Sequence, residues 1–316
     1  MGDRRSHLEF LTRLASLYYL KGKTQAEVAG ELSISRQKVQ RFLQECREEG
    51  VVEINIRTLP LISLELEDRL REKFGLLDVV VANSHSNQAE SRRSVARAAA
   101  SYLERNLKKG MAIAVGMGRN TGEIPNFFNP SHSIDCTFLP AMGSSPHVGE
   151  TINPSDICAK LSMNCKGKSF PLYAPAYVES QQVRDILIAQ AAVGSTLQKA
   201  KNADMAIVGI GAPTDNATLV RMDCLSRTEV RHLKKTGAVG DILGAFFDQQ
   251  GHMLASDLYG RLVGLALEDL RRIKTVVAVV SEHNKAGAIF GALQTGVLKV
   301  LITDSDNAQK VFDLTK

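Results

Sequence analysis

Four side chains at helical spacing, Arg36, Gln37, Gln40 and Arg41, have the chemistry of base readers. Arginine bonds guanine bidentately, glutamine does the same with adenine, and either reaches phosphate. The residues that must hold them lie on the other side of the same stretch, where Val39, Phe42, Leu43 and Cys46 recur at helical spacing. Upstream, Thr24 is a good N-cap with Glu27 in place as its capping-box partner, and Ala26, Val28, Ala29 and Leu32 give a short helix an apolar face. Ser33-Ile34-Ser35 then makes a tight turn in which Ser35 caps the next helix. The pattern predicts a helix-turn-helix over residues 24–47, with Thr24, Gln25, Ser35 and Lys38 joining the four readers as DNA-facing candidates. A small helical hairpin with a solvated polar face would look similar, but the flanks complete a domain.

His7 to Leu20 is an apolar-periodic helix that can cover the two motif helices, and Gly22 ends it. After Gly50, Val51-Val52-Glu53-Ile54-Asn55-Ile56 reads as a strand, the start of a winged variant spanning residues 1–58. Residues 59–76 hold a second helical stretch, Leu61–Phe74, in which Leu64, Leu66, Leu70 and Phe74 alternate with dense charge. It reads as a linker helix that would also help dimerise the protein, or equally as the first helix of the larger domain.

From residue 77 to 316 the pattern changes to short apolar strands between helices. Leu77–Ala82, Met111–Val115, Thr137–Pro140, Met205–Ile210, Thr275–Val280 and Val300–Thr303 are the strands, and Ser91–Leu107 is a helix among them. Such a chain folds as a doubly wound, mostly parallel α/β domain with both sheet faces covered. Ligands of these sheets bind outside the carboxyl ends of the strands. There stand Gly116-Met117-Gly118-Arg119-Asn120, a glycine-rich turn whose backbone N–H groups favour an anion, and Lys285, which follows one strand and opens a helix.

Composition bounds the rest. A chain of 316 residues, 44% hydrophobic, leaves roughly 250 residues beyond the reader and can bury a sizeable core. A net charge of +5 implies local phosphate contacts rather than a strong nonspecific field. The five cysteines lack CxxC spacing and point to reduced thiols in the cytoplasm. The seven histidines form no HExxH or Cys/His cluster, so neither a metal nor another cofactor is expected, and no apolar run is long enough to span a membrane.

LYYLKGKTQAEVAGELSISRQKVQRFL, ADMAIVGIGAP, GAVGDILGAFFDQQG and SEHNKAGAIFGALQTGVLKVLITD, spread over nearly the whole chain, resemble the SorC family of bacterial transcriptional regulators, which is also grouped with DeoR-type proteins. The resemblance implies a winged helix-turn-helix joined to a sugar-binding domain similar in fold to ribose-phosphate isomerase and glucosamine-phosphate deaminase. It further implies a dimer or tetramer that binds operator DNA and a small carbohydrate, polyol or phosphorylated sugar, regulating a catabolic operon, more often as a repressor. Carried over by position, Gly116, Gly118, Arg119 and Asn120 match the family's first glycine-rich turn, with Met117 where many relatives have an aromatic residue. Gly143, Ser144 and Ser145 match a second loop, and Asp241 and Asp248, seven residues apart on one helical face, fall beside the effector hydroxyls. Lys285 matches the lysine on the phosphate side. Relatives often carry Gly-Gly where this chain has Ser281-Glu282, a departure that weakens the case for a phosphorylated effector. The alternative is a sugar-phosphate isomerase- or deaminase-like enzyme with a DNA-binding head, using Asp241 with His283 or Glu282 as its acid/base pair. A purely DNA-organising protein would not need so large an α/β domain.

Overall fold

The structure, a computed structural model, describes residues 2–52, 64–145 and 152–316. It divides into two compact units, Met1–Leu59 and Pro60–Lys316.

In the first unit the helix Gly2–Ala15 runs into a π-helical turn, Ser16–Leu20, and is followed by helices Gln25–Glu31 and Arg36–Glu48. Gly22 takes φ +65°, a left-handed conformation that glycine adopts without steric cost. The capping box forms: Thr24 Oγ1 accepts the Glu27 N–H, and the Glu27 carboxylate accepts the Thr24 N–H at 2.7 Å. Ser35 caps the last helix by accepting the Lys38 N–H. Leu11, Leu14, Leu17, Val28, Val39, Leu43 and Cys46 fill the core. Two expectations change in detail. Ala26 is exposed, and Phe42 is only half-buried, edge-on to Phe10 with ring centres 5.2 Å apart. The expected wing strand is described only as far as Val52; its remainder, Glu53–Ile56, lies outside the described residues.

The second unit is built on seven parallel strands: β1 Asp78–Ala82, β2 Ala112–Val115, β3 Thr137–Pro140, β4 Lys168–Ser169, β5 Met205–Val208, β8 Thr275–Val280 and β9 Val300–Asp304. Their spatial order is β1-β9-β8-β5-β2-β3-β4. Two further strands, β6 Gly240–Ile242 and β7 Ala245–Phe247, pair antiparallel as a separate hairpin. Alternate residues of the central strands enter different cores, as on β8: Val276, Ala278 and Val280 on one side, Val277 and Val279 on the other. Both sides are covered, which is why the strands read as unbroken apolar runs. Helices Gln88–Asn106 and Pro154–Cys165 cover one face, and Ala191–Lys201, Ala286–Gln294 and Ser305–Asp313 are among those on the other.

The helix read as a linker, described as Leu64–Phe74, belongs to this second core. Leu66 and Leu70 are buried there, and the Glu67 carboxylate accepts the N–H of Val81 on β1 at 2.7 Å. The segment read as a helix around Asp241 and Asp248 is corrected outright, because it is the β6–β7 hairpin. Its turn residues Leu243 and Gly244 have φ +51° and +79°. Two successive positive φ values are the signature of a type I′ turn, whose twist suits a tight hairpin.

Candidate functional site

Strands β2, β3 and β4 run outward in one direction from the middle of the sheet, and β5, β8 and β9 in the other. Between β2 and β5 the winding reverses, and the crevice beyond their carboxyl ends is where such a sheet admits a ligand. A pocket opens there, lined by Gly118, Arg119 and Asn120 after β2, Gly209–Gly211 after β5, Glu282 and Lys285 after β8, and Asp241, Leu243 and Gly244 of the hairpin. Met117, Met142 and Thr218 add to its wall. It offers about 50 Å³ to the centres of water-sized groups, room for roughly four of them.

Each polar group is held from behind. The hairpin is tied to the end of β5 by backbone bonds in both directions between Gly211 and Asp241. Asp241 then lies so close to Gly211 that a Cβ there would sit 1.7 Å from Oδ1, so any residue but glycine would displace the carboxylate. Its other oxygen accepts the Gly244 N–H at 3.1 Å. Burial raises the Asp241 carboxyl above its ordinary range, against the pull of that N–H and of Lys285. Asn120 Oδ1 accepts from Ser281 Oγ at 2.6 Å, both residues being buried, so the β2 and β8 loops are joined. Lys285 Nζ donates to the Ile210 carbonyl at 2.9 Å and lies 3.5 Å from Glu282. Burial holds its ammonium below the usual lysine range, while Glu282 and Asp241 pull the other way. Glu282 Oε1 is 2.9 Å from Arg119 Nη2 and 3.8 Å from Arg92 Nη2.

The sequence candidates divide accordingly. Gly118, Arg119, Asn120, Asp241 and Lys285 converge on the pocket from positions as far as 167 residues apart (285 minus 118). Gly116 lies beneath it, where a Cβ would meet Leu243 at 2.6 Å. Gly143, Ser144 and Ser145 do not line it. A Cβ on Gly143 would strike the Pro175 backbone at 2.3 Å, so this glycine serves the close approach of two chain segments. Ser144 makes a bridge to Pro175, and Ser145 is buried with its hydroxyl on the Met222 carbonyl. Asp248 is also absent from the pocket. At the far end of the hairpin it accepts the N–H groups of Gln250 and His252, a turn-forming role. His283 lines a different recess with Ser84 and Asp304, so it is not brought to Asp241. Sequence reading missed Arg92, which arrives from a helix whose charges resemble any solvated face, and Leu243, whose conformation has no sequence signal.

In the first unit Arg36, Gln37, Lys38, Gln40 and Arg41 are all exposed on the last helix, opposite the buried Val39, Leu43 and Cys46. Gln25 is half-buried, and the hydroxyls of Thr24 and Ser35 are engaged as helix caps. Among the described residues no group of metal-binding side chains occurs, and no helix is long and apolar enough to cross a membrane.

Comparison with known proteins gives the class. Residues 60–313 match the family model of sugar-binding domains. The chain is 32% identical over 309 residues to the transcriptional regulator LsrR of Escherichia coli, covering 96% of this chain and 94% of that one. It is 27% identical over 301 residues to the erythritol catabolism regulatory protein EryD of Brucella abortus, covering 94% of each. Its backbone superposes on the crystal structure of the sugar-binding domain of a Vibrio fischeri transcriptional repressor with a TM-score of 0.74, at 37% identity, over 80% of this chain and 99% of that one. The chain belongs to the SorC family of sugar-responsive, DNA-binding transcriptional regulators.

Proposed function

We propose that the first unit is a winged helix-turn-helix that reads operator DNA, and that the second senses a small carbohydrate or polyol in the pocket between β2 and β5. The observation that carries this is the convergence of Asn120, Asp241, Glu282 and Lys285 on one small pocket at the switch point of a sugar-binding domain. Carboxylates and amides there suit hydroxyl groups as acceptors and donors. Arg36, Gln37, Gln40 and Arg41 read base edges, and Gln25, Lys38 and the capped helix starts at Thr24 and Ser35 meet phosphates.

The protein acts in the cytoplasm as a dimer or tetramer, so that two readers engage two half-sites. It represses a carbohydrate or polyol catabolic operon. The effector changes DNA affinity only by its preference for one arrangement of subunits, worth ~1–3 kcal/mol, about 5–150-fold. An isomerase-like reading is disfavoured, since His283 faces another recess and Glu282 is engaged with Arg119.

Genomic fragments selected on the purified protein supply the operator. Fluorescence anisotropy on that fragment, with sugars and polyols that raise the protein's melting temperature, then reads the coupling. A ligand that stabilises the protein through this pocket and leaves DNA affinity untouched would sink the proposal. Turnover of sugar phosphates by the same preparation would favour the enzyme.

A further inference from the structure

Glu282 is an unusual residue for its place. Its φ is +120°, in the left-handed region that favours glycine, yet it carries a long charged side chain that is only 5% exposed. Strain of this kind persists only where the surroundings hold the residue. They do: Asn307 Nδ2 donates to the Glu282 carbonyl at 2.9 Å, and the preceding Ser281 is tied to Asn120. The carboxylate reaches Arg119, Lys285 and Arg92, the cations on this side of the pocket. Although Oε1 lies within 2.9 Å of Arg119, it is buried and out of line for a hydrogen bond. Glu282 lines the pocket, so its carboxylate stands where an anionic ligand group would otherwise meet positive charge.

On the reading that this pocket holds the effector, we propose that Glu282 sets the effector class: its carboxylate is the resident anion of the site, so the ligand is a small polyhydroxy compound carrying no phosphate or carboxylate. A ligand hydroxyl donates to the Glu282 carboxylate and another to Asp241. A phosphate would bring two further negative charges against Glu282, whose carboxylate already stands 2.9 Å from Arg119 and 3.5 Å from Lys285, the natural partners of such a group.

The test uses the full-length protein and inorganic phosphate as probe, by titration calorimetry and thermal shift. Wild type is expected to show no saturable phosphate binding at ~10 mM, a concentration on the order of weak-site affinities. Glu282→Gly, which suits the positive φ, is expected to bind phosphate at least about tenfold more tightly. Glu282→Gln keeps the volume and guards against a gain that comes only from space, and it should give an intermediate gain. Adding Lys285→Met to Glu282→Gly should abolish the acquired site. Phosphate binding by wild type equal to that of Glu282→Gly overturns the proposal, as does the absence of any gain in both variants, and either leaves the pocket reading standing. Phosphate binding gained in Glu282→Gly but indifferent to Lys285→Met overturns the assignment of the pocket itself.

Discussion

Replacing Gly211 by alanine tests the architecture of the site through a single atom. The new Cβ would lie 1.7 Å from Asp241 Oδ1 and 2.7 Å from its Cγ, so the carboxylate must move. Overpacking of this kind costs ~1–3 kcal/mol. The displaced carboxylate also gives up the Gly244 N–H, and a buried donor left unpaired costs ~1–3 kcal/mol. A combined loss of about 3 kcal/mol should lower the melting temperature by about 6–12 °C for a unit of this size. The decisive comparison is with Asp241→Ala, in which the side chain that Cβ would strike is gone. In that background Gly211→Ala should cost less than ~1 kcal/mol, leaving a favourable coupling of about 2 kcal/mol. Calorimetric melting of wild type, both single variants and the double variant closes the cycle. An equal cost for Gly211→Ala in both backgrounds would refute the contact, and with it the placement of Asp241 in the pocket.

Leu43→Ala, at a site 4% exposed, should destabilise the first unit by ~2–5 kcal/mol, whereas half-buried Phe42→Ala should cost less than the ~3–5 kcal/mol usual for a buried phenylalanine; the reverse order in urea melts monitored by tyrosine fluorescence would contradict the packing. Arg36→Ala and Gln40→Ala, both exposed, should leave the circular dichroism spectrum unchanged and weaken operator binding by ~1–3 kcal/mol where either contacts a base; unchanged anisotropy titrations for both would remove the helix from the groove. Burial pushes the Cys136 thiol up to about 11 and Cys224 up to about 12, so Ellman's reagent at about pH 8 should find almost no thiol in the folded protein and all five after denaturation; rapid labelling of the native chain at either position would contradict their burial. Burial also raises the Asp241 carboxyl above its ordinary 3.8, so as pH climbs past that value the unfolded chain loses the proton first and the native state loses stability through the folded pKa. Asp241→Asn lacks this loss and should gain on wild type in melts taken from about pH 4 to about pH 7; parallel curves would mean that the group is not desolvated.

Six of the seven sheet strands were legible because burial on both faces leaves no polar alternation to confuse with a helix, and the Gly-, Ser- and Lys-bearing strand ends marked one edge of the sheet; β4, only Lys168 and Ser169 and outside both cores, carried no such signal. The helices of the first unit were legible because Thr24, Glu27 and Ser35 are local cap signals that need no tertiary knowledge. The hairpin was not. Asp241 and Asp248 are seven apart, a separation that fits a helical face, and the turn at Leu243-Gly244 lacks the Asn-Gly or Asp-Gly pair that announces a type I′ turn. What holds that turn is the Gly211–Asp241 bridge, a contact between residues 30 apart (241 minus 211) that no window of sequence contains. Likewise the glycine at 143 reads as a ligand loop in the chain and proves to be a contact point with Pro175. Arg92 became a neighbour of Glu282 only once its helix lay across the carboxyl end of β8.

The two units also differ in when they come into being. The first unit ends at Leu59, whereas the pocket waits for Lys285, 226 residues later (285 minus 59). At ~5–20 residues per second of synthesis, that gap is roughly 10–45 s. For that interval a nascent chain carries the first unit without the pocket, and a message broken between those points yields the first unit alone.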